Sequence, residues 1–306
     1  MFENLSLNID PTMIIFLNFI IVVNMFAISL NLRISDFKVV IKHPKTVLVG
    51  LTAQFFLLPL ITFFFTLVLP INPTVALAFI MVSCVPGGNL SNVFTFLARG
   101  NLPVSVGMTA VGFPIAVLLT PINFGIYTNL HPEIAPMVSA VRIDPFNFVT
   151  IISLNVLLPL LLGCWVGSTF KTFYAKVAPY IATFALISIG AIIVIIFKDN
   201  LHIPLKVSKY YMPYTVLHHA VVLISAYYFS SFFKVSDQDK RTIAIENGIQ
   251  NAPIGLVLLL TFMPTLSGAA ITIAFWGAWQ IFSTFWIAMY WRKHDLNPEL
   301  SKSTST

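Results

Sequence analysis

The sequence predicts an all-α polytopic membrane protein of about nine transmembrane helices, built as an inverted repeat with two crossing discontinuous helices, spans three and eight. Three observations lead there. The 306 residues are 58% hydrophobic and 9% charged, with a mean hydropathy of +0.89, where a soluble domain carries about 25% charge. The apolar residues fall in long runs rather than the short alternating segments of an outer-membrane barrel. Two of those runs are broken by proline and glycine at matched places.

A helix needs about 20 apolar residues to cross a bilayer. Nine runs qualify, at 12–32, 45–69, 73–97, 103–128, 146–169, 177–198, 211–233, 239–263 and 268–291. Lys and Arg orient them. One set of loops holds Arg33, Lys38, Lys42, Lys45, Arg99, Lys171, Lys176, Lys234, Lys240, Arg241, Arg292, Lys293 and Lys302, and the other only Arg142, Lys198, Lys206 and Lys209. An odd number of spans then places the N-terminus outside and the C-terminus in the cytoplasm, in the inner (plasma) membrane. The same loop bias accounts for the net charge of +6 and pI near 9.3, so no nucleic-acid partner is expected. Cys84 and Cys164 lie in apolar runs without paired spacing and read as small hydrophobes. The first residues lack the basic segment of a cleaved signal peptide, and the polar tail 301–306 reads as disordered.

Spans three and eight hold what a lipid-facing helix avoids. In the third, Ser83-Cys-Val-Pro-Gly-Gly-Asn-Leu-Ser-Asn-Val93 sets Pro86, Gly87 and Gly88 about 18 Å from the entry, near the midplane. In the eighth, Ile245-Glu-Asn-Gly-Ile-Gln-Asn-Ala-Pro253 repeats the pattern with Gly248 and Pro253. Glu246 there lies roughly 13 Å in and is the single acid deep in the membrane. Taken alone, the first break would also suit a simple kink, and Glu246 a side chain reaching the surface or a structural pair. The recurrence weighs against both. Each break sits in the middle of a three-helix group, spans 2–4 and 7–9, and interrupted segments in corresponding positions of two halves point to a transport site.

Residues 86–93 with Leu97-Ala-Arg-Gly-Asn101 and Val104-Ser-Val-Gly-Met-Thr109 resemble the bile acid:sodium symporter family, as do Arg241 through Asn251, His43-Pro-Lys-Thr46, and Gln54 with Pro59. The likeness runs from about residue 30 to 293, in a nine-span form without the extra first helix of ten-span members. It implies two sodium sites at the crossing: Ser91, Asn92, Ser105, Thr109 and Glu246 for the first, and Gln54, Glu246, Gln250 and the carbonyls of Asn247 and Ile249 for the second. Hard cations take such oxygens. Asn89, Leu90, Asn251 and Gln280 would meet the anion at half-helix N-termini, whose free N–H groups and dipoles favour negative charge. Trp279-Gln-Ile281 stands where bacterial relatives often carry Trp-His-Asn, and Pro253 and Gly112-Phe-Pro114 are also unusual, so the anion stays open: a bile acid or a smaller carboxylate or sulfonate.

The expected plan has a core of 45–128 and 211–293 (spans 2–4 and 7–9) sliding against a panel of 12–44 and 146–198 (spans 1, 5 and 6), with 1–11 outside and 294–306 a cytoplasmic tail. Sodium, the anion and lipid are the expected partners, and a monomer or weak dimer the expected state. Two rival readings remain. One is a proton-coupled carrier titrating Glu246 or His218. The other is a membrane-embedded enzyme using Glu246 with His218 and His219, although no His-Glu-x-x-His cluster is present. For that histidine pair, one packing histidine with one polar contact is a plainer expectation than a proton relay or metal pair.

Overall fold

The computed structural model describes residues 11–30, 32, 34–141, 144–170 and 202–294, with scattered positions between 176 and 194. The expectations for span 177–198, for Arg33, Arg142, Lys171, Lys198 and Lys302, and for both chain ends lie outside the described residues. Within them the chain is helical, and the one β-type contact is an isolated antiparallel pair, Gly87 with Gln250.

The helices are α1 (Pro11–Ser29), α2 (Ile34–Lys42), α3 (Pro44–Thr52), α4 (Leu58–Val68), α5 (Pro73–Cys84), α6 (Leu90–Leu97), α7 (Leu102–Leu130), α8 (Ala135–Ser139), α9 (Pro145–Ile152), α10 (Leu158–Thr169), α11 (His202–Phe232), α12 (Asp237–Gly248), α13 (Ala252–Phe262) and α14 (Ala269–Lys293). A π-helical turn, Ala53–Leu57, joins α3 to α4, and a second, Ser153–Leu157, joins α9 to α10. Among the described residues, six helical stretches are long and apolar enough to cross a membrane: Thr12–Ser29, Pro44–Val68, Leu102–Leu130, Phe146–Thr169, Lys206–Phe232 and Ala269–Lys293. They coincide with the expected spans one, two, four, five, seven and nine. Large apolar side chains such as Phe19, Phe64, Leu118, Trp165 and Phe232 stand exposed on them, as helices facing lipid require.

The runs at 73–97 and 239–263 are each divided in two. Val85 is extended (φ −78°, ψ 160°), the conformation that the ring of Pro86 imposes on its predecessor, and α5 therefore stops at Cys84. Every residue of α5 from Thr74 to Cys84 is buried, which suits a helix apolar on all sides at the centre of the molecule. On the other side α12 ends at Gly248, with Ile249 extended (φ −107°, ψ 100°). The expected role of Pro253 changes here: it occupies the first turn of α13, where its missing N–H costs nothing, so it starts a helix rather than breaking one. Unwinding is confined to residues 249–251.

Each π turn precedes a proline, Pro59 and Pro159. Pro59 has no N–H to give Phe55 O, the acceptor four residues back. Asn123 Nδ2 of α7 takes that acceptor instead, at 2.7 Å. Half-buried Pro114 and Pro121 interrupt α7's hydrogen bonds in the same way without ending the helix.

Candidate functional site

The two divided runs meet main chain to main chain. Gly88 N donates to Ile249 O (2.7 Å) and Asn251 N to Pro86 O (2.9 Å). Polar backbone freed by unwinding must find partners in a nonpolar interior, and each break supplies them to the other. A Cβ at Gly88 would stand 3.1 Å from Gln250 O, so the approach needs glycine.

Glu246 is buried on the last turn of α12, one turn before the break. Its Oε1 accepts from Ser91 Oγ of α6 (2.7 Å) and from Ser105 Oγ of α7, which also bonds Asn92 Oδ1 (2.8 Å). Thr109, one turn beyond Ser105 on the same face, has a buried hydroxyl near the carboxylate without a hydrogen bond of its own. Gln54, held in the first π turn, and Gln250 form a reciprocal amide pair (2.7 and 3.2 Å). Gln54 Nε2 also reaches Val85 O (3.2 Å), and Gln250 Nε2 reaches Asn247 O (2.7 Å). Gln54, Gly87, Thr109 and Glu246 wall one small cavity. The side chains expected for the two ion sites thus form two hydrogen-bonded groups, one around Glu246 and one around Gln54 and Gln250, that border the same cavity, and the unpartnered Thr109 hydroxyl opening on it fits an oxygen-coordinated cation. The Asn247 side chain points elsewhere: its Nδ2 bonds Ile243 O (2.8 Å), and the residue lines a separate small cavity with α4 and α11.

The poles of the half-helices add to this. α5 and α12 bring their C-terminal, negative ends to the crossing, while α6 and α13 leave it from their positive ends. α12 is fixed at its far end by Ser236, whose Oγ accepts from Asp239 N (3.1 Å). Asp239 in turn accepts from Thr46 Oγ1 (3.2 Å) and Asn101 Nδ2 (2.8 Å), joining the starts of α3, α7 and α12.

A larger cavity of about 650 Å³ lies beside the crossing, and Asn89, Leu90, Asn251 and Gln280 all line it. Its other walls are apolar, including Phe94, Leu256, Phe282 and Phe285. One expectation needs correction: the first amides of α13 are not free. Asn251 N serves Pro86 O, Ala252 N serves Gln250 O, Pro253 has none, and Ile254 N donates to Asn251 Oδ1 (3.3 Å). Asn251 Nδ2 remains, with only a 3.8 Å contact to Met25 Sδ. Asn89, at the start of α6, caps no amide. Gln280 is more committed than its assignment implied: it accepts from Gln250 N (2.7 Å) and donates to Gln250 O (2.9 Å).

The model of the sodium bile acid symporter family matches residues 18–206, well over half of the chain. The chain belongs to that family. It is similar to the "Uncharacterized sodium-dependent transporter YocS" of Bacillus subtilis (29% identical over 269 residues, 88% of this chain and 80% of that protein). It is also similar to the probable chloroplastic sodium/metabolite cotransporter BASS1 of Arabidopsis thaliana (29% over 236 residues, 77% and 57%) and to the mouse sodium/bile acid cotransporter 4 (27% over 263 residues, 83% and 58%). The chain therefore spans less than two thirds of the plant and mouse proteins. Membership in a symporter family places it among membrane transporters, not enzymes.

Within this symporter-family chain, the structure adds residues that sequence reasoning missed. Both His218 and His219 are packed, and each makes two polar contacts. Trp276 donates its indole N–H to His218 Nδ1 (3.1 Å). His219 Nε2 lies 2.9 Å from Gly248 O, and Nδ1 2.9 Å from Ser283 Oγ. No spacing rule links 219, 248 and 283, so nothing along the chain signals this group.

Proposed function

We propose that the chain is a sodium-coupled symporter of an organic anion, working by alternating access. The observation that carries this reading is the buried Glu246 carboxylate, met by the neutral hydroxyls of Ser91 and Ser105 where two interrupted helices are tied together. An ionised carboxylate removed from water requires a compensating charge, and mobile cations supply one that can be loaded and released. Two sodium ions are taken up. One is held by Ser91, Asn92, Ser105, Thr109 and Glu246, the other by Gln54, Glu246, Gln250 and the carbonyls of Asn247 and Ile249. The anion occupies the 650 Å³ cavity with its charge against Asn89 and Asn251 and its apolar body along Leu90, Phe94 and Phe282. A bile acid or a smaller carboxylate or sulfonate meets that description. Gln280 holds the Gln250 main chain and borders the anion.

The runs 73–97 and 239–263 count as two interrupted spans among nine, with the N-terminus outside and the C-terminus in the cytoplasm of the plasma membrane. The core (45–128 and 211–293) slides against the panel (12–44 and 146–198), in keeping with an inverted repeat, and the molecule works as a monomer or weak dimer.

The test is Glu246→Ala in purified, reconstituted protein. Wild type gains thermal stability with sodium, and further with a true anion when sodium is present. The variant stays folded but loses both the sodium response and sodium-driven uptake. Sodium-stimulated uptake persisting in Glu246→Ala overturns the role of the carboxylate, and uptake that follows pH while ignoring sodium moves the assignment to proton coupling.

A further inference from the structure

The adjacent histidines of α11 are both buried, yet they serve different neighbourhoods. His218 stacks on Phe79 (centroids 4.7 Å apart, 10° between planes), accepts the Trp276 indole N–H at Nδ1, and lies 2.9 Å from Thr62 Oγ1 through Nε2. An indole nitrogen can only donate, so the partners assign the proton to Nε2. Thr62 then passes its own proton to Leu58 O (2.8 Å). Among the described residues no hydrogen bond runs from that group to the crossing, although the Trp276 ring also lies edge-on to His219 (centroids 5.5 Å apart).

His219 faces the crossing. A carbonyl only accepts, so Nε2 carries the proton and donates it to Gly248 O, leaving Nδ1 as an acceptor 2.9 Å from Ser283 Oγ, whose one proton is shared between it and Trp279 O (2.8 Å). Gly248 ends α12, two residues past Glu246. Its lack of a side chain leaves room for this approach: a Cβ would displace Leu223 Cδ2 and stand 3.6 Å from His219 Nε2. Leu223 is one helical turn beyond His219, so one face of α11 is laid flush against the end of α12. Ser283 is one turn beyond Gln280 on α14, whose amide clasps Gln250.

The main-chain carbonyls can be followed one by one. Gly248 O goes to His219, Ile249 O to Gly88 N, and Gln250 O to Gln280 Nε2 and Ala252 N. Gln250 N, which a continuing helix would send to Glu246 O, goes to Gln280 Oε1 instead. The end of α12 is thereby stopped short, which leaves the Glu246 carbonyl without its helical donor and turned towards Gly87, 3.4 Å from where a Cβ there would sit.

We propose that His219 is a positioning residue for the ion site. Held by Ser283 and donating to Gly248 O, it fixes the unwound end of α12, so that Glu246 and the carbonyls beside it are presented to sodium without His219 touching ion or anion. This rests on the sodium reading above, and the experiment separates the two.

Sodium titrations of thermal stability, without anion, are run on wild type, Glu246→Gln, His219→Leu, His219→Gln, Ser283→Ala and His218→Gln, together with anion titrations at saturating sodium. His219→Leu is expected to raise the half-saturating sodium concentration about 5–30-fold while anion affinity at saturating sodium is unchanged. His219→Gln, which keeps an N–H donor, restores most of the loss. Ser283→Ala weakens sodium about 2–5-fold, and reads the same clamp should His219→Leu not fold. His218→Gln lowers melting temperature without moving the sodium midpoint. An unchanged midpoint in both His219→Leu and Ser283→Ala, or sodium and anion affinity falling together by equal factors, overturns the positioning role. A wild type blind to sodium sinks the parent reading instead.

Discussion

Ser105 sits between two acceptors, Glu246 Oε1 and Asn92 Oδ1, so its hydroxyl couples the acid of α12 to the start of α6. Hydrogen bonds to a charged group contribute about 1.5–3 kcal/mol. Ser105→Ala should therefore weaken sodium roughly 10- to 150-fold, with Ser105→Thr close to wild type, as read from the sodium midpoint of thermal stabilisation. Ser91 has a single acceptor in Glu246, and its alanine variant should fall at the lower end of that range. Glycine positions divide just as cleanly. Gly163 of α10 lies against α1, where a Cβ would come 2.6 Å from both Phe26 O and Ser29 Cβ, and Gly167 meets Leu30 O more closely still. Backbone cannot step aside, so Gly167→Ala should destabilise by about 1–3 kcal/mol or more. Gly125 of α7 has nothing within 4 Å of its Cβ position, and Gly125→Ala should gain about 0.5–1 kcal/mol from helix propensity. Melting curves of the two variants in one detergent check both signs.

The elements show where that close packing leads. Gly163 and Gly167 form the small-xxx-small face on which α1 and α10 approach. Asn18 of α1 donates to Thr261 Oγ1 of α13 (3.2 Å) and accepts from Asn155 Nδ2 of the second π turn (2.6 Å). Phe148 of α9 packs against Phe262 beside it, with ring centroids 4.6 Å apart and planes tilted by 34°. On the proposed division the Asn18–Thr261 and Phe148–Phe262 contacts tie panel to core and must part whenever the two slide. Thr261→Val should favour the opposite-facing state, seen as a changed rate of labelling at a single cysteine placed in the large cavity, with little loss of melting temperature. Unaltered labelling would mean that the contact is not broken in the cycle. Much of this level was legible in the sequence, and what was not has a physical cause. Pro86, Gly87 and Gly88 announce the first break because their chemistry forbids a plain helix. Pro253 misleads because proline is punished inside a helix and welcomed in its first turn, a difference of a few residues. The π turns escape notice because Pro59's orphaned acceptor is served by Asn123, 68 positions away. The Gly163–Gly167 spacing stood in view unread, and the His219 clamp exists only once three separate helices are folded together.

At the scale of the whole molecule, the proposed stoichiometry makes a statement about current. With Glu246 ionised, the empty site carries a single negative charge, which two sodium ions and a monovalent anion bring to zero. If both forms cross, each cycle moves one net positive charge inward, and about 100 mV adds roughly 2.3 kcal/mol of drive. Transport should be electrogenic for monoanions and electroneutral for dianions; equal currents for one of each would contradict the count. The helix poles at the crossing offer partial charges of both signs, which lets cation and anion lie close together without a fixed Lys or Arg. The joint between the two breaks has a longer reach. Gly88 to Ile249 and Asn251 to Pro86 are bonds between peptide groups, which every residue possesses whatever its side chain. Evolution can therefore exchange the amino acids lining the neighbouring hollow, and with them the cargo, while the framework that harnesses the sodium gradient is inherited untouched.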